Sequence, residues 1–230
     1  MEFTRTPEEV AAEYHTKLTT KENPVNKALG LPTGVDFDRD LAEIMESHPE
    51  ENGENVIVAL LDLDHFDPIN KEFGNEAGDK VLIETGNYLK SKVGKDATLY
   101  RIGGDEFGII FRGTDEREDV FLFLELLRRE MPVKRPDGVP LEITIGMATA
   151  FEDASRSPEL VRKADSALYR AKVSGRNRVS MAKEEKMIPK TSHYTQDQLQ
   201  RLAKLAKREG VGEAILLREA LDILLKKYDI

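Results

Sequence analysis

Two carboxylate pairs and one pair of cations carry the chemistry legible in this sequence. Asp62-Leu63-Asp64 closes an apolar run, and Asp105-Glu106 follows two glycines in Arg101-Ile102-Gly103-Gly104-Asp105-Glu106-Phe107. Carboxylates at a strand end and at the tip of a neighbouring hairpin can converge on one point. Converging hard oxygens suit Mg²⁺, which takes one or two carboxylates and completes its octahedral shell with substrate phosphates and water. Gly103 and Gly104 remove side chains where a bulky polyanion must approach the backbone. The amides of residues 64–67 can form an anion-binding turn. Lys172 and Arg176 fall at the end of a late helix and in the loop after it, and supply the positive charge that a triphosphate needs. Each piece alone has a bland reading: solvated acids, an ordinary hairpin turn, a solvated helix face. Their joint occurrence favours a metal-dependent phosphate site.

Composition removes several other chemistries. The chain has 230 residues, 34 basic and 43 acidic, a net charge of −9 and 40% hydrophobic residues. Apolar clusters along the whole length rule out general disorder. The longest apolar run, Val56 to Leu61, is far short of the roughly 18 residues of a membrane span. The absence of cysteine excludes disulfides, zinc–thiolate sites, iron–sulfur clusters and a thiol nucleophile. His15, His48, His65 and His193 lack metal-ligand spacing. No Gly-x-x-x-x-Gly-Lys-Ser/Thr occurs, so a P-loop is excluded. Without a signal-peptide-like N-terminus, the chain reads as cytoplasmic and free of membrane.

The elements that must position these residues follow from periodicity. Thr6-Pro7-Glu8-Glu9 predicts a capped helix to about Lys17, and Phe37, Leu41, Ile44 and Met45 a second helix. Residues 56–63 read as a strand buried on both faces. Val81 to Leu89 is helical, and residues 98–102 and 107–111 form a hairpin around Gly103-Gly104. A leucine-rich helix over 115–130, a strand over 141–147, a helix from Ser157 to Lys172 and a short strand over 178–181 complete the body. The pattern is α/β, or more narrowly α+β: a mostly antiparallel central sheet flanked by helices.

Composition changes near Ala182, where Lys183 to Lys186 reads as a charged linker. From Lys183 onward ten basic face eight acidic residues, so the tail is positive while the remainder carries the negative charge. Lys190 to Tyr194 reads as a short strand. Thr195-Gln196-Asp197-Gln198 is a capping box opening a helix that Gly210 ends, and a second helix starts near Gly212. Glu219-Ala220-Leu221, the signature tripeptide of cyclic di-GMP phosphodiesterases, falls in that short helix. Such an enzyme needs a barrel of about 200 residues or more, so the match is chance.

Arg101 to Phe107 resembles the signature of the GGDEF diguanylate cyclase family. Three further blocks are similar in order and spacing: Leu29 to Gly34; Asp62 to Phe66 with Asn70, Phe73-Gly74 and Gly78-Asp79; and Ala164 to Lys172 with Gly175-Arg176-Asn177. The resemblance covers residues 23–182. It implies a fold like the polymerase palm and the condensation of two GTP into cyclic di-GMP and two pyrophosphates. It further implies two Mg²⁺ or Mn²⁺ ions per site on Asp62, Asp105 and the carbonyl of Leu63, with Glu106 as an outer carboxylate or proton acceptor. By position, Asn70 and Asp79 read guanine, the His65 and Phe66 amides, Gly103 and Gly104 line the phosphates, and Lys172 and Arg176 contact them. Asp79 can accept from guanine N1–H and the 2-amino group, donors that adenine lacks.

Four departures stand out. Asp67-Pro68 replaces a common lysine position, Lys71 and Asn75 replace a common aspartate and histidine, and Gly94 to Ala97 lacks the product-inhibition Arg-x-x-Asp. The tail, residues 187–230, resembles the ribbon-helix-helix DNA-binding family, whose small unit needs a dimer to bury its core. That resemblance implies a homodimer with a paired ribbon in the major groove of duplex DNA. Thr191 and His193 would face bases, Lys190 a phosphate, and the helix start at Gly212 another phosphate. Residues 1–22 are read as an N-terminal helix. A different reading is a DNA-binding regulator whose GGDEF unit only senses GTP or another nucleotide.

Overall fold

The computed structural model describes residues 23–47, 49–183, 190–209 and 212–228. The helix expected over 6–17, His15, His48, the linker beyond Lys183 and the helix stop at Gly210 lie outside them. The chain divides into two compact units at 184/185.

The first unit is organised by β1 (Asn55–Leu63), whose apolar run is buried from Val56 onward. β1 pairs antiparallel with β3 (Glu106–Gly113) on one side and with β4 (Ile143–Thr149) on the other. β2 (Ala97–Arg101) pairs antiparallel with β3, and β5 (Val179–Met181) parallel with β4, giving the order β2-β3-β1-β4-β5. The mostly antiparallel sheet expected from the sequence is therefore present. β4 starts two residues later than expected, because the Leu141 amide bonds the Val133 carbonyl in the preceding loop.

Alternation along β1 separates two cores. Ile57, Ala59, Leu61 and Leu63 face α1 (Pro24–Leu29), α3 (Phe66–Phe73), α4 (Asn75–Lys92) and α5 (Arg117–Arg129). Val56, Val58 and Leu60 face α2 (Gly34–Glu46) and α6 (Ser157–Val173). Period two places Asp62 on the second face, towards α6. That helix lies unusually close to the sheet: a Cβ on Gly146 of β4 would stand 2.2 Å from the Ala164 carbonyl oxygen and the Leu168 nitrogen. Ala164, Ala167 and Ala171 complete the tight seam. Only a glycine permits this approach, and the approach carries Lys172 to the end of β1.

The second unit holds α7 (Gln196–Glu209) and α8 (Glu213–Lys227). The expected capping box forms: the Gln198 amide donates to Thr195 Oγ1 at 3.2 Å, and the Thr195 amide to Gln198 Oε1 at 2.9 Å. The strand expected at 190–194 does not form. A lone strand has no neighbour to satisfy its backbone, and a ribbon needs one from a second chain. Among the described residues, no helix is long and apolar enough to cross a membrane.

Candidate active site

The C-terminal end of β1, the β2–β3 turn and the end of α6 meet at one edge of the sheet. Asp62 stands opposite Glu106 in the ladder, and the Leu63 amide donates to the Asp105 carbonyl at 3.3 Å. Lys172 Nζ lies 2.6 Å from Asp62 Oδ2. Burial pushes the Asp62 carboxyl up to about 7 against the pull of Lys172, with Asp105 and Glu106 adding repulsion. Asp105 is also raised, first by burial; Lys172 opposes the rise, and Asp67 in the first turn of α3 adds to it.

Crowded carboxylates, Asp62 buried and Asp105 and Glu106 half-buried, hold more negative charge than Lys172 beside them and Arg101 acting on Asp105 offset. A divalent cation fits that arrangement. Among the described residues no group of three or more His, Cys, Asp or Glu could hold a metal alone. Two or three protein oxygens completed by nucleotide phosphates and water suit Mg²⁺ better than a closed protein cage.

The turn itself is held from beneath. The Ile102 and Gly103 amides both donate to the Glu106 carbonyl, at 3.1 and 3.2 Å. A Cβ on Gly103 would come within 2.8 Å of Glu106 Oε2, so the glycine makes room for that carboxylate as well as for any ligand. Arg101 is buried: Nη2 donates to the Gly104 carbonyl at 2.6 Å and Nη1 to Asn26 Oδ1 at 2.5 Å. Burial lowers its affinity for a proton, while Asp79 and Asp105 raise it. This clamp was not read from the sequence. Its signal was an arginine inside an apolar strand, which must find acceptors.

The other predicted residues of the first unit follow β1 and α6 in the chain. His65, in the left-handed region at φ 59°, precedes α3, whose N-terminus carries no side-chain cap. Phe66 is buried. The anion-binding turn proposed for residues 64–67 loses its first member, because the Asp64 amide is committed to the Glu142 carbonyl at 2.9 Å. The Asp64 side chain is likewise buried and accepts from Thr144 Oγ1 at 2.7 Å and from the Asn177 amide at 3.0 Å. Asn70 lies across Gly78, whose added Cβ would stand 1.9 Å from Asn70 Oδ1, and exposed Asp79 follows directly. These two are therefore neighbours at the α3–α4 elbow. Arg176 Nε reaches Asp64 Oδ1 at 3.9 Å. Lys190, Thr191 and His193 are exposed outside any regular element, and Gly212 directly precedes α8.

Comparison with known proteins agrees with this geometry. The family model "Diguanylate cyclase, GGDEF domain" matches residues 29–178, and "Ribbon-helix-helix domain" matches residues 188–229. The chain belongs to the GGDEF-domain family, and its tail is similar to ribbon-helix-helix domains. It is 35% identical over 189 residues to diguanylate cyclase DgcP of Pseudomonas aeruginosa, covering 79% of this chain and 28% of DgcP. It is 33% identical over 144 residues to diguanylate cyclase A of Treponema denticola, covering 61% of this chain and 38% of that protein. The chain thus spans well under half the length of these relatives. Among solved structures, the GGDEF domain of Caulobacter crescentus DgcB, in complex with c-di-GMP, is similar with TM-score 0.58 and 29% identity, covering 64% of this chain and 88% of that one. The GGDEF domain of Pseudomonas aeruginosa TpbB, also called YfiN, gives TM-score 0.63 at 28% identity, covering 68% and 92%.

Proposed function

We propose that the first unit is a diguanylate cyclase that condenses two GTP into cyclic di-GMP and two pyrophosphates. The observation carrying this reading is the convergence of Asp62, Asp105 and Glu106 beside Lys172 at one sheet edge. Asp62, Asp105 and the Leu63 carbonyl would hold two Mg²⁺ or Mn²⁺ ions. When bound, such ions lower the affinity of a ribose 3′-hydroxyl for its proton and offset charge building on the α-phosphate and pyrophosphate. Glu106 supports Asp62 from across the ladder or accepts the hydroxyl proton. Lys172 and Arg176 balance the triphosphate, the His65 and Phe66 amides cradle it, and Gly103 and Gly104 let it approach the turn. Asn70 and Asp79 read the guanine edge; an adenine would leave the Asp79 carboxylate without donors.

Each GGDEF unit offers one nucleotide site, so product formation needs the GGDEF units of two chains face to face. The ribbon-helix-helix unit supplies the homodimer, and its ribbon would bind duplex DNA through Thr191 and His193, with Lys190 and the Gly212 helix start on phosphates. Its exposed apolar residues Leu199, Leu221, Ile223 and Leu224 support a missing partner copy.

Incubating the full chain with GTP and Mg²⁺ tests the reading. It expects cyclic di-GMP with two pyrophosphates per product molecule; GTP left unchanged rejects it. A second reading rests on Asp67, whose charge bears on Asp105 where phosphates would pass. In it the unit binds nucleotide without turnover and serves a DNA-binding regulator. Saturable GTP binding without product would favour that alternative.

A further inference from the structure

Residues 175–177 form an unusual turn after α6. Gly175, Arg176 and Asn177 have φ of 108°, 59° and 46°. An arginine backbone seldom adopts this region and asparagine tolerates it better, so the surroundings must hold Arg176 there. Asn177 is fastened on several sides. Its amide donates to Asp64 Oδ2 at 3.0 Å and to Thr144 Oγ1 at 2.9 Å, and its Nδ2 to Glu142 Oε1 at 2.8 Å. Its Oδ1 accepts from Arg128 Nη1 at 2.5 Å. Arg128, largely buried in the last turn of α5, also donates to Glu125 Oε2 at 2.7 Å, and Glu125 Oε1 accepts the Val179 amide at 2.9 Å. The C-terminal end of the turn and the strand after it are thereby tied to α5, while the Gly175 and Arg176 amides donate to the Lys172 and Ala171 carbonyls of α6. Arg176 is held far more lightly, 3.9 Å from Asp64.

We infer that Arg128 is a positioning residue for the phosphate-contacting turn, acting through Asn177 to aim Arg176 and to fix Asp64 just beyond the end of β1. The inference rests on the cyclase reading for what the turn contacts, but not for the network itself. Arg128 bonds neither the carboxylate cluster nor Lys172, so it acts on the nucleotide through the turn alone. Removing it frees a strained turn to relax towards ordinary φ values. Arg176 then turns away from the triphosphate, while Asp62, Asp105 and Glu106 stay in place. Loss should therefore fall on nucleotide affinity more than on turnover.

The test uses the full chain carrying Arg128→Met, Arg128→Lys, Asn177→Gly and the double substitution Arg128→Met with Asn177→Gly. Glycine at 177 keeps the left-handed backbone and its amide bonds but removes the side-chain link, so it spares the fold if Arg128→Met does not. Each protein is measured for KM and kcat with GTP, for Kd of the α,β-methylene analogue of GTP with Mg²⁺, and for amide exchange over residues 174–178. Loss of a supporting partner of this kind typically costs 10–100-fold. The expectation is about a tenfold rise in KM and in analogue Kd for either single change, with kcat within about threefold and faster exchange over 174–178. Arg128→Lys should recover part of the loss. The double variant should be no worse than the worse single one, because both changes cut one link. Unchanged affinity and unchanged exchange in Asn177→Gly would overturn the inference, as would fully additive losses. If the wild-type chain neither turns over GTP nor binds the analogue, the cyclase reading fails, and exchange alone decides: faster exchange supports the network, unchanged exchange overturns it.

Discussion

The two units solve the same problem in opposite ways. In the GGDEF unit one central strand feeds two cores, and residues such as Ile57, Val58 and Leu61 are essentially inaccessible within a single chain. In the tail, Leu221, Ile223 and Leu224 remain at least half exposed, at 53%, 60% and 50%. A unit of about 40 residues cannot bury enough apolar surface alone. The first unit therefore has its site geometry without help, whereas the second has its helices but not its ribbon. Single-chain folding positions the proposed chemistry, and the tail is left with apolar residues uncovered.

That contrast can be broken at its closest packing point. Gly146→Val should press a side chain into the Ala164 carbonyl and Leu168 nitrogen of α6. Overpacking of this kind costs about 1–3 kcal/mol or more, and backbone has nowhere to retreat. We expect the upper end of that range in chemical denaturation, with Lys172 drawn away from Asp62. A variant as stable as the wild type would mean that the helix does not lie on the sheet as described.

The tail is tested on the opposite ground. Leu224→Glu should leave the GGDEF unit's unfolding transition in place and weaken the proposed dimer by about 3 kcal/mol, roughly a hundredfold in Kd, since burying a leucine contributes about 1.5–3 kcal/mol. Association is read most directly by analytical ultracentrifugation over a dilution series. An unchanged association constant would place the dimer contact elsewhere.

Asp62 sharpens the comparison in another way, because its site is complete in geometry yet unfavourable in charge. Its folded-state pKa of about 7 lies above the ordinary 3.8. The folded chain therefore holds the proton more tightly than the unfolded one. Metal-free stability should be greatest below about pH 4 with respect to this group and fall as pH rises towards 7. Asp62→Asn should remove that slope, leaving the variant more stable than wild type at pH 8 without metal. Mg²⁺ should then stabilise the wild type and not the variant. A wild type whose stability is flat between pH 4 and 8 would contradict the burial argument. The smallest effect expected is in base selection: Asp79→Ser should lower the GTP preference over ATP by about tenfold, the scale of one lost buried hydrogen bond to a charged group. An unchanged ratio would move the guanine pocket elsewhere.

Much of this was legible in residue order. The strand at 56–63, the hairpin around Gly103-Gly104 and the helix from Ser157 each carry a local signal, respectively an unbroken apolar run, a glycine turn and a proline in the first helical turn. The carboxylate cluster followed because Asp62 ends one such element and Asp105 begins another. What escaped were residues whose roles need distant partners. Arg101 bonds Asn26, 75 positions away, and Asp64 bonds Thr144, 80 positions away. Asp64 looked like a member of an anion-binding turn because adjacency to Asp62 is local, while the Glu142 and Thr144 groups that claim it are not. The strand expected at 190–194 does not form for a related reason: no neighbouring strand in the described residues of the tail satisfies its backbone.

The central claim is that Asp62 and Asp105 converge to run phosphoryl transfer between two GTP. Its most direct test is the rate of cyclic di-GMP formation by the wild-type chain and by Asp105→Ala, each with GTP and Mg²⁺ and each checked for an intact fold by circular dichroism. The account predicts product from the wild type and a loss of more than about 100-fold in the variant, the scale of removing a group that stabilises transition-state charge. Equal rates from the two folded proteins would contradict it.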